Sequence, residues 1–272
     1  MLDKKTKLSK IANELRKETV TMIYKAQSGH LGSSLSEIDI LTALYFSVMN
    51  TNQENLNDIK RDRFVLSKGH GSEGLYCTLQ KKGFFPHSWL ENYHSNDNPL
   101  TNHPTNKVPG IEVCTGALGH GFSVGVGMAL SAKLKNYKNR TFILTGDGEL
   151  QEGTNWEAAM AASQFKLGNL VWIIDQNQLQ LYDKVSNTME IEPLKEKIES
   201  FGFIVSKVDG NNPDEISTIL NGIDYTGNKP HALIAKTVKG KGVSFMENIA
   251  EWHHRIPNKE EWEIAMKELG NE

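Results

Sequence analysis

Cysteine is scarce: Cys77 and Cys114 are the only two in 272 residues, 37 positions apart and outside any CxxC spacing. That excludes a disulfide scaffold and a thiolate zinc site, and it fits two buried thiols in a reducing compartment. Long hydrophobic runs are absent as well. None exceeds five residues, Leu170–Ile174 being one, against the roughly 20 needed to cross a bilayer. The amino terminus MLDKKTKLSK is basic with no apolar stretch behind it, so a cytoplasmic protein without a secretory leader is expected. Neither charge dominates: 30 Lys+Arg against 33 Asp+Glu leave a net −3. No bulk basic field exists for nucleic acid or an anionic membrane. Pro/Ser linkers, repeats and low-complexity tracts are missing, so a single domain over residues 1–272 is expected.

What is present is an alternation of helical and strand patterns. Leu8–Ala26 carries apolar residues at spacings of three and four, as an amphipathic helix does. Ser36–Met49 reads as a second helix with Ser36 at its N-cap. β-rich runs follow at Phe64–Leu66, Thr141–Leu144, Leu170–Ile174, Phe203–Val208 and Ala232–Val238, with helices over Gly119–Asn136 and Thr154–Leu167 between them. Another helix opens at Asn212-Pro213-Asp214-Glu215, which supplies an Asn cap, a first-turn Pro and a Glu at the third position. The wholly apolar Leu170–Ile174 suits a strand covered on both faces. The fold class expected is α/β, a mostly parallel sheet with helices on both faces. Ligands of such sheets gather beyond the carboxyl ends of the strands.

Two turns there carry chemistry. Gly146-Asp147-Gly148 follows the strand ending at Leu144, and Asp175-Gln176-Asn177-Gln178-Leu179 ends the next one. One strand–helix–strand crossover separates them, so they should be neighbours on one sheet edge. The Asp147 carboxylate, the Asn177 amide oxygen and a carbonyl near Leu179 would offer a hard cation three oxygens, with phosphate and water completing its shell. Gly119-x-Gly121-x-x-x-Gly125 is close to a nicotinamide-cofactor loop. No strong strand precedes it, however, and its small residues suit close helix packing better.

A GDG turn followed about thirty residues later by Asn at a strand end resembles the thiamine-diphosphate signature. Together with Ser28-Gly29-His30, Ser67-Lys68-Gly69-His70-Gly71-Ser72, Thr115-Gly116-Ala117-Leu118-Gly119-His120-Gly121 and Gly146-Asp147-Gly148-Glu149-Leu150-Gln151-Glu152-Gly153, it resembles the amino-terminal half of a transketolase, from about Leu8 to about Trp262. Leu31, Ala117 and Gln176 depart from the common family pattern without removing a functional group.

The resemblance implies a thiamine-diphosphate-binding fold and ketol transfer between a ketose, phosphorylated or not, and an aldose, as in the pentose phosphate pathway. His30, His103 and His253 would contact the reacting sugar, with His254 the alternative to His253. His70, Gly116, Ala117, Leu118, Gly148, Asn177 and His253 would line the cofactor. Asp147, Asn177 and Leu179 would hold Mg²⁺, with Ca²⁺ or Mn²⁺ as alternatives. Glu152, with Glu157, would link cofactor sites across a dimer interface; helix capping is the plainer role for Glu152. His87, His94 and His231 are expected to be bystanders.

The family's carboxyl-terminal half, which carries the glutamate that activates the aminopyrimidine, has no counterpart here. A second subunit with the pyrimidine-binding domain is therefore expected, in an α₂β₂ assembly. The alternatives are a deoxyxylulose-phosphate-synthase-like enzyme, a modified-sugar transketolase or a non-catalytic cofactor-binding regulatory subunit.

Overall fold

The computed structural model describes residues 4–181 and 183–270. Along the chain run α1 (Lys4–Ala26), α2 (Leu31–Ala43), β1 (Arg63–Leu66), α3 (Ser72–Lys81), α4 (Ser88–Glu91), α5 (His120–Leu134), β2 (Thr141–Gly146), α6 (Gly153–Gln164) and β3 (Leu170–Gln176). After these come β4 (Leu179–Gln180), β5 (Asp183–Lys184), α7 (Val185–Thr188), α8 (Leu194–Ser200), β6 (Ile204–Asp209), α9 (Pro213–Asn221), β7 (His231–Lys236) and α10 (Lys259–Gly270). The sheet order is β1-β2-β3-β7-β6, parallel throughout, and β4 with β5 forms a small antiparallel hairpin.

The period of two along the strands divides the interior. Phe142, Leu144, Val171 and Ile173 point to one face, where Leu15, Ile38, Leu41, Leu75 and Ile216 of the helices cover them. Ile143, Trp172 and Ile174 point to the other, against Phe122, Ala159 and Ile198. A third apolar cluster joins α1 and α2 to α10 and to Trp252. Gly121 and Gly125 of α5 lie directly against Ser67 and Ile143, the close packing expected of their small size. Among the described residues no helix is long and apolar enough to cross a membrane.

The helix starting at Asn212 forms with that side chain accepting from the Glu215 amide at 3.2 Å. The second helix differs from expectation. It begins at Leu31, five residues before Ser36, and ends in a wider turn over Leu44–Val48. Ser36 is not its cap; its buried hydroxyl bonds the Ser33 carbonyl at 3.0 Å and Asp175 at 2.6 Å. A tertiary carboxylate thus satisfies the hydroxyl that local pattern would assign to a helix start.

In-phase pairing, with Leu66 opposite Leu144 and Gly146 opposite Asp175, brings the strand ends to one edge. The residues after them, Lys68, Asp147, Asn177 and Thr237, therefore meet there.

Candidate active site

The two chemistry-bearing turns are adjacent, as the spacing requires: the Asp147 amide donates to the Asp175 carbonyl at 3.2 Å. The Asp147 carboxylate is buried and accepts from the Gly148 amide at 2.9 Å and the Gln178 amide at 2.5 Å. Asn177 Oδ1 accepts from the Leu179 amide at 3.0 Å. Burial, reinforced by the neighbouring Asp175 charge, pushes Asp147 up to about 7. Among the described residues no cationic side chain stands at ion-pair distance, and the pull of Lys239 does not offset the burial. A desolvated carboxylate beside amide and carbonyl oxygens, with no ion-paired cation, fits a small hard divalent cation. Asp147 and Asn177 could hold such an ion directly. The Leu179 carbonyl already accepts from Lys239 Nζ at 3.3 Å, so it would serve through its second lone pair or after Lys239 moves. A cleft of about 590 Å³ opens beside these residues, lined also by Thr237, Val238 and Asn248 but by none of the histidines.

Four imidazoles from distant parts of the sequence converge at the same edge. The His30 ring lies 5.8 Å from His70, 5.5 Å from His103 and 5.8 Å from His253, and His70 lies 5.1 Å from His253. His254 also meets His30, edge-on at 4.6 Å. The two neighbours differ in support: Lys239 Nζ is 2.9 Å from His253 Nδ1, whereas His254 is exposed. Burial and the Lys239 charge push His253 down to about 3, and burial with Lys68 holds His70 well below the ordinary histidine range. Both are neutral imidazoles near neutral pH, able to give and take hydrogen bonds without carrying charge. Lys239 joins the Asn177–Leu179 turn to the imidazoles, and burial lowers it to about 8.

Behind both groups lies a buried ion cluster. Lys68 Nζ is 2.6 Å from Asp175, 2.9 Å from Glu37 and 3.0 Å from the Ser33 carbonyl. Burial opposes the charge on Asp175, but Lys68 and the Ser36 and Thr237 hydroxyls outweigh it and hold that carboxyl below its usual range. Among the described residues no hydroxyl donates to Glu37, and burial raises it to about 8 against the pull of Lys68. One cation cannot neutralise two buried carboxylates, so Glu37 faces Lys68 as the protonated partner.

The folded chain thus keeps a proton on Glu37 up to about pH 8, while the ordinary glutamate value is 4.5. Stability from this group is full below 4.5, falls as pH rises and is lost above about 8. In urea unfolding, Glu37→Gln, which mimics the protonated side chain, is expected to lose less stability than wild type between pH 5 and pH 9. Equal losses would contradict the assignment.

The family profile described as "Transketolase, thiamine diphosphate binding domain" matches residues 7–272. The chain belongs to the transketolase family. It is 48% identical over 254 residues to an apulose-4-phosphate transketolase subunit of Phocaeicola vulgatus, covering 93% of this chain and 90% of that one. It is 38% identical to 6-deoxy-6-sulfo-D-fructose transketolase subunit SqwG of a Clostridium species, covering 100% and 99%. Among solved structures, transketolase of Campylobacter jejuni superposes with a TM-score of 0.91 at 32% identity, over 99% of this chain but 43% of that one. The chain thus spans about two fifths of that solved transketolase.

In this transketolase-family chain the structure brings together His30, His70, His103 and His253, and separately Asp147, Gly148, Asn177 and Leu179. The Gly116–Leu118 loop sits beside the imidazoles: Gly116 has φ +131°, and a Cβ there would lie 2.7 Å from His103 Cδ2. Glu149 pins that loop to the Gly146–Gly148 turn, accepting from the Gly119 amide at 2.8 Å and the Gly146 amide at 3.1 Å. Glu152 is exposed and lies against Gly119 of that loop, with its backbone at the helix N-cap position but no side-chain capping bond. His87 pairs with Glu18 on the surface, away from the cluster. Sequence reasoning missed Glu37, Lys239 and the role of Lys68. The signal for Glu37 was there: LGSSLSEIDILTA has no polar face wide enough for solvent, and all of α2 is buried.

Proposed function

We propose that this chain is the thiamine-diphosphate-binding subunit of a two-subunit cytoplasmic transketolase, moving a two-carbon ketol unit from a ketose to an aldose. The observation that carries it is the ring of imidazoles around His30, joined through Lys239 to the oxygen set of Asp147, Asn177 and Leu179. Thiamine diphosphate, when bound, supplies the carbon centre that takes up the ketol unit. Asp147, Asn177 and the Leu179 carbonyl would hold Mg²⁺, Ca²⁺ or Mn²⁺ against its diphosphate, and His70, Gly116, Ala117, Leu118 and Gly148 would border it. His30, His103 and His253 would orient sugar hydroxyls and exchange protons with them. A purely regulatory subunit would have no need of such imidazoles.

The substrate class proposed is a modified sugar rather than an ordinary pentose phosphate, since relatives sharing most of this chain are named for apulose-4-phosphate and sulfofructose. Their designation as subunits supports a partner carrying the pyrimidine-binding half in an α₂β₂ assembly, with residues 1–272 as the diphosphate domain. The exposed Glu152 is free to reach another copy there. The purified chain with Mg²⁺ and thiamine diphosphate is expected to transfer no ketol group alone, and to do so once a pyrimidine-domain subunit is added. Transfer at full rate by the chain alone would overturn the two-subunit reading.

A further inference from the structure

We propose that Glu73 is a positioning residue that fixes the tautomer of His30, placing the proton on Nδ1 and leaving Nε2 as the acceptor toward substrate. This rests on the site reading above and assigns the direction in which its central imidazole works. Glu73 stands in the first turn of α3 with no exposed surface. Its Oε1 accepts from the His30 amide at 3.2 Å and the Tyr93 hydroxyl at 2.8 Å, and its Oε2 from the Ser34 hydroxyl at 2.9 Å. The turn before His30 lies against this carboxylate: Gly29 has φ +140°, and a Cβ there would sit 2.8 Å from Glu73 Oε1.

Among the described residues no lysine or arginine pairs with Glu73, and the basic group facing it is His30 Nδ1 at 3.9 Å. That nitrogen is buried and, among the described residues, has no hydrogen-bond partner. A buried carboxylate favours a proton on the imidazole nitrogen facing it and disfavours a lone pair there. The 3.9 Å gap is longer than a hydrogen bond, and closure around substrate commonly tightens such contacts. His253 is held in the opposite sense. The Lys239 ammonium donates to its Nδ1, so its proton sits on Nε2. Two rings 5.8 Å apart would then present one acceptor and one donor, the pair needed to take a hydroxyl proton and support a carbonyl oxygen of one ketose.

The test is the full chain labelled with ¹⁵N-histidine, its long-range ¹H–¹⁵N spectrum recorded at pH 7.5 and the His30 signals assigned with a His30→Asn variant. Wild type is expected to show a protonated Nδ1 and a bare Nε2; a protonated Nε2 would overturn the proposal. Glu73→Gln should move the tautomer ratio at least about tenfold toward Nε2–H, and no movement in the folded variant would equally overturn it. With the partner subunit, the variant should lose about 10- to 100-fold in kcat while donor KM and thiamine-diphosphate affinity stay near wild type. Loss of cofactor affinity in step with kcat would mark Glu73 as merely structural. If the variant does not fold, the wild-type tautomer decides alone. If the assembly transfers no ketol group at all, the functional reading falls, while the spectrum still judges the Glu73–His30 pair.

Discussion

Asp147→Asn is expected to lose at least about a hundredfold in Mg²⁺-dependent affinity for thiamine diphosphate while its melting temperature stays near wild type. The binding loss follows from charge. Asp147 is the carboxylate in an oxygen set otherwise made of an amide and a main-chain carbonyl, and a neutral amide there leaves a divalent ion with no anionic ligand from the protein, only the diphosphate. Stability is held by two opposing effects. Removing a carboxylate that burial and Asp175 have already pushed up to about 7 relieves a cost of the fold. The Asn amide, however, can accept from only one of the Gly148 and Gln178 N–H groups and turns an NH₂ toward the other. An unmet buried donor costs about 1–3 kcal/mol, comparable to the relief. Titration calorimetry with and without EDTA, beside a thermal scan of the apo chain, checks both halves. Undiminished Mg²⁺-dependent affinity would remove Asp147 from the metal site.

The parts of this site readable from sequence are those at the ends of apolar strands. Phe64–Leu66, Thr141–Leu144 and Leu170–Ile174 are strands, and the residues just past them, His70, Asp147 and Asn177, stand at one edge because parallel pairing leaves the chain no other arrangement. The buried charges were not readable in the same way. Local pattern assigns Lys and Glu to solvent, and nothing in the spacing of Glu37, Lys68 and Asp175 shows that three distant segments meet around one ammonium. The same holds for Ser36, whose hydroxyl looks like a cap until Asp175 supplies its partner. The choice between His253 and His254 also lay beyond the sequence, since adjacent residues differ here only in what packs behind them.

That difference in packing gives the two histidines different expected effects. His253→Ala is expected to lower kcat of the assembled enzyme by about 10²–10⁴-fold, the range for a lost proton-transfer or hydrogen-bonding group, and His254→Ala by less than about tenfold. His253 is set between Lys239 Nζ at 2.9 Å and the His70 ring at 5.1 Å, so its tautomer and direction are fixed before substrate arrives. His254 meets His30 from the exposed side, where water can take its place. Lys239→Met, which leaves the His253 ring in position but removes the donor to Nδ1, should fall between the two. The pH dependence supplies an independent check. Burial and Lys239 keep His253 neutral down to about pH 3, so its proton remains on Nε2 while Lys239 is charged, below about pH 8. The ratio of wild-type to His253→Ala activity should therefore stay constant from about pH 5.5 to 7, where Lys239 keeps its charge. A ratio that collapses below pH 6.5 would show that His253 gains a proton there and works as a solvent-exposed histidine instead.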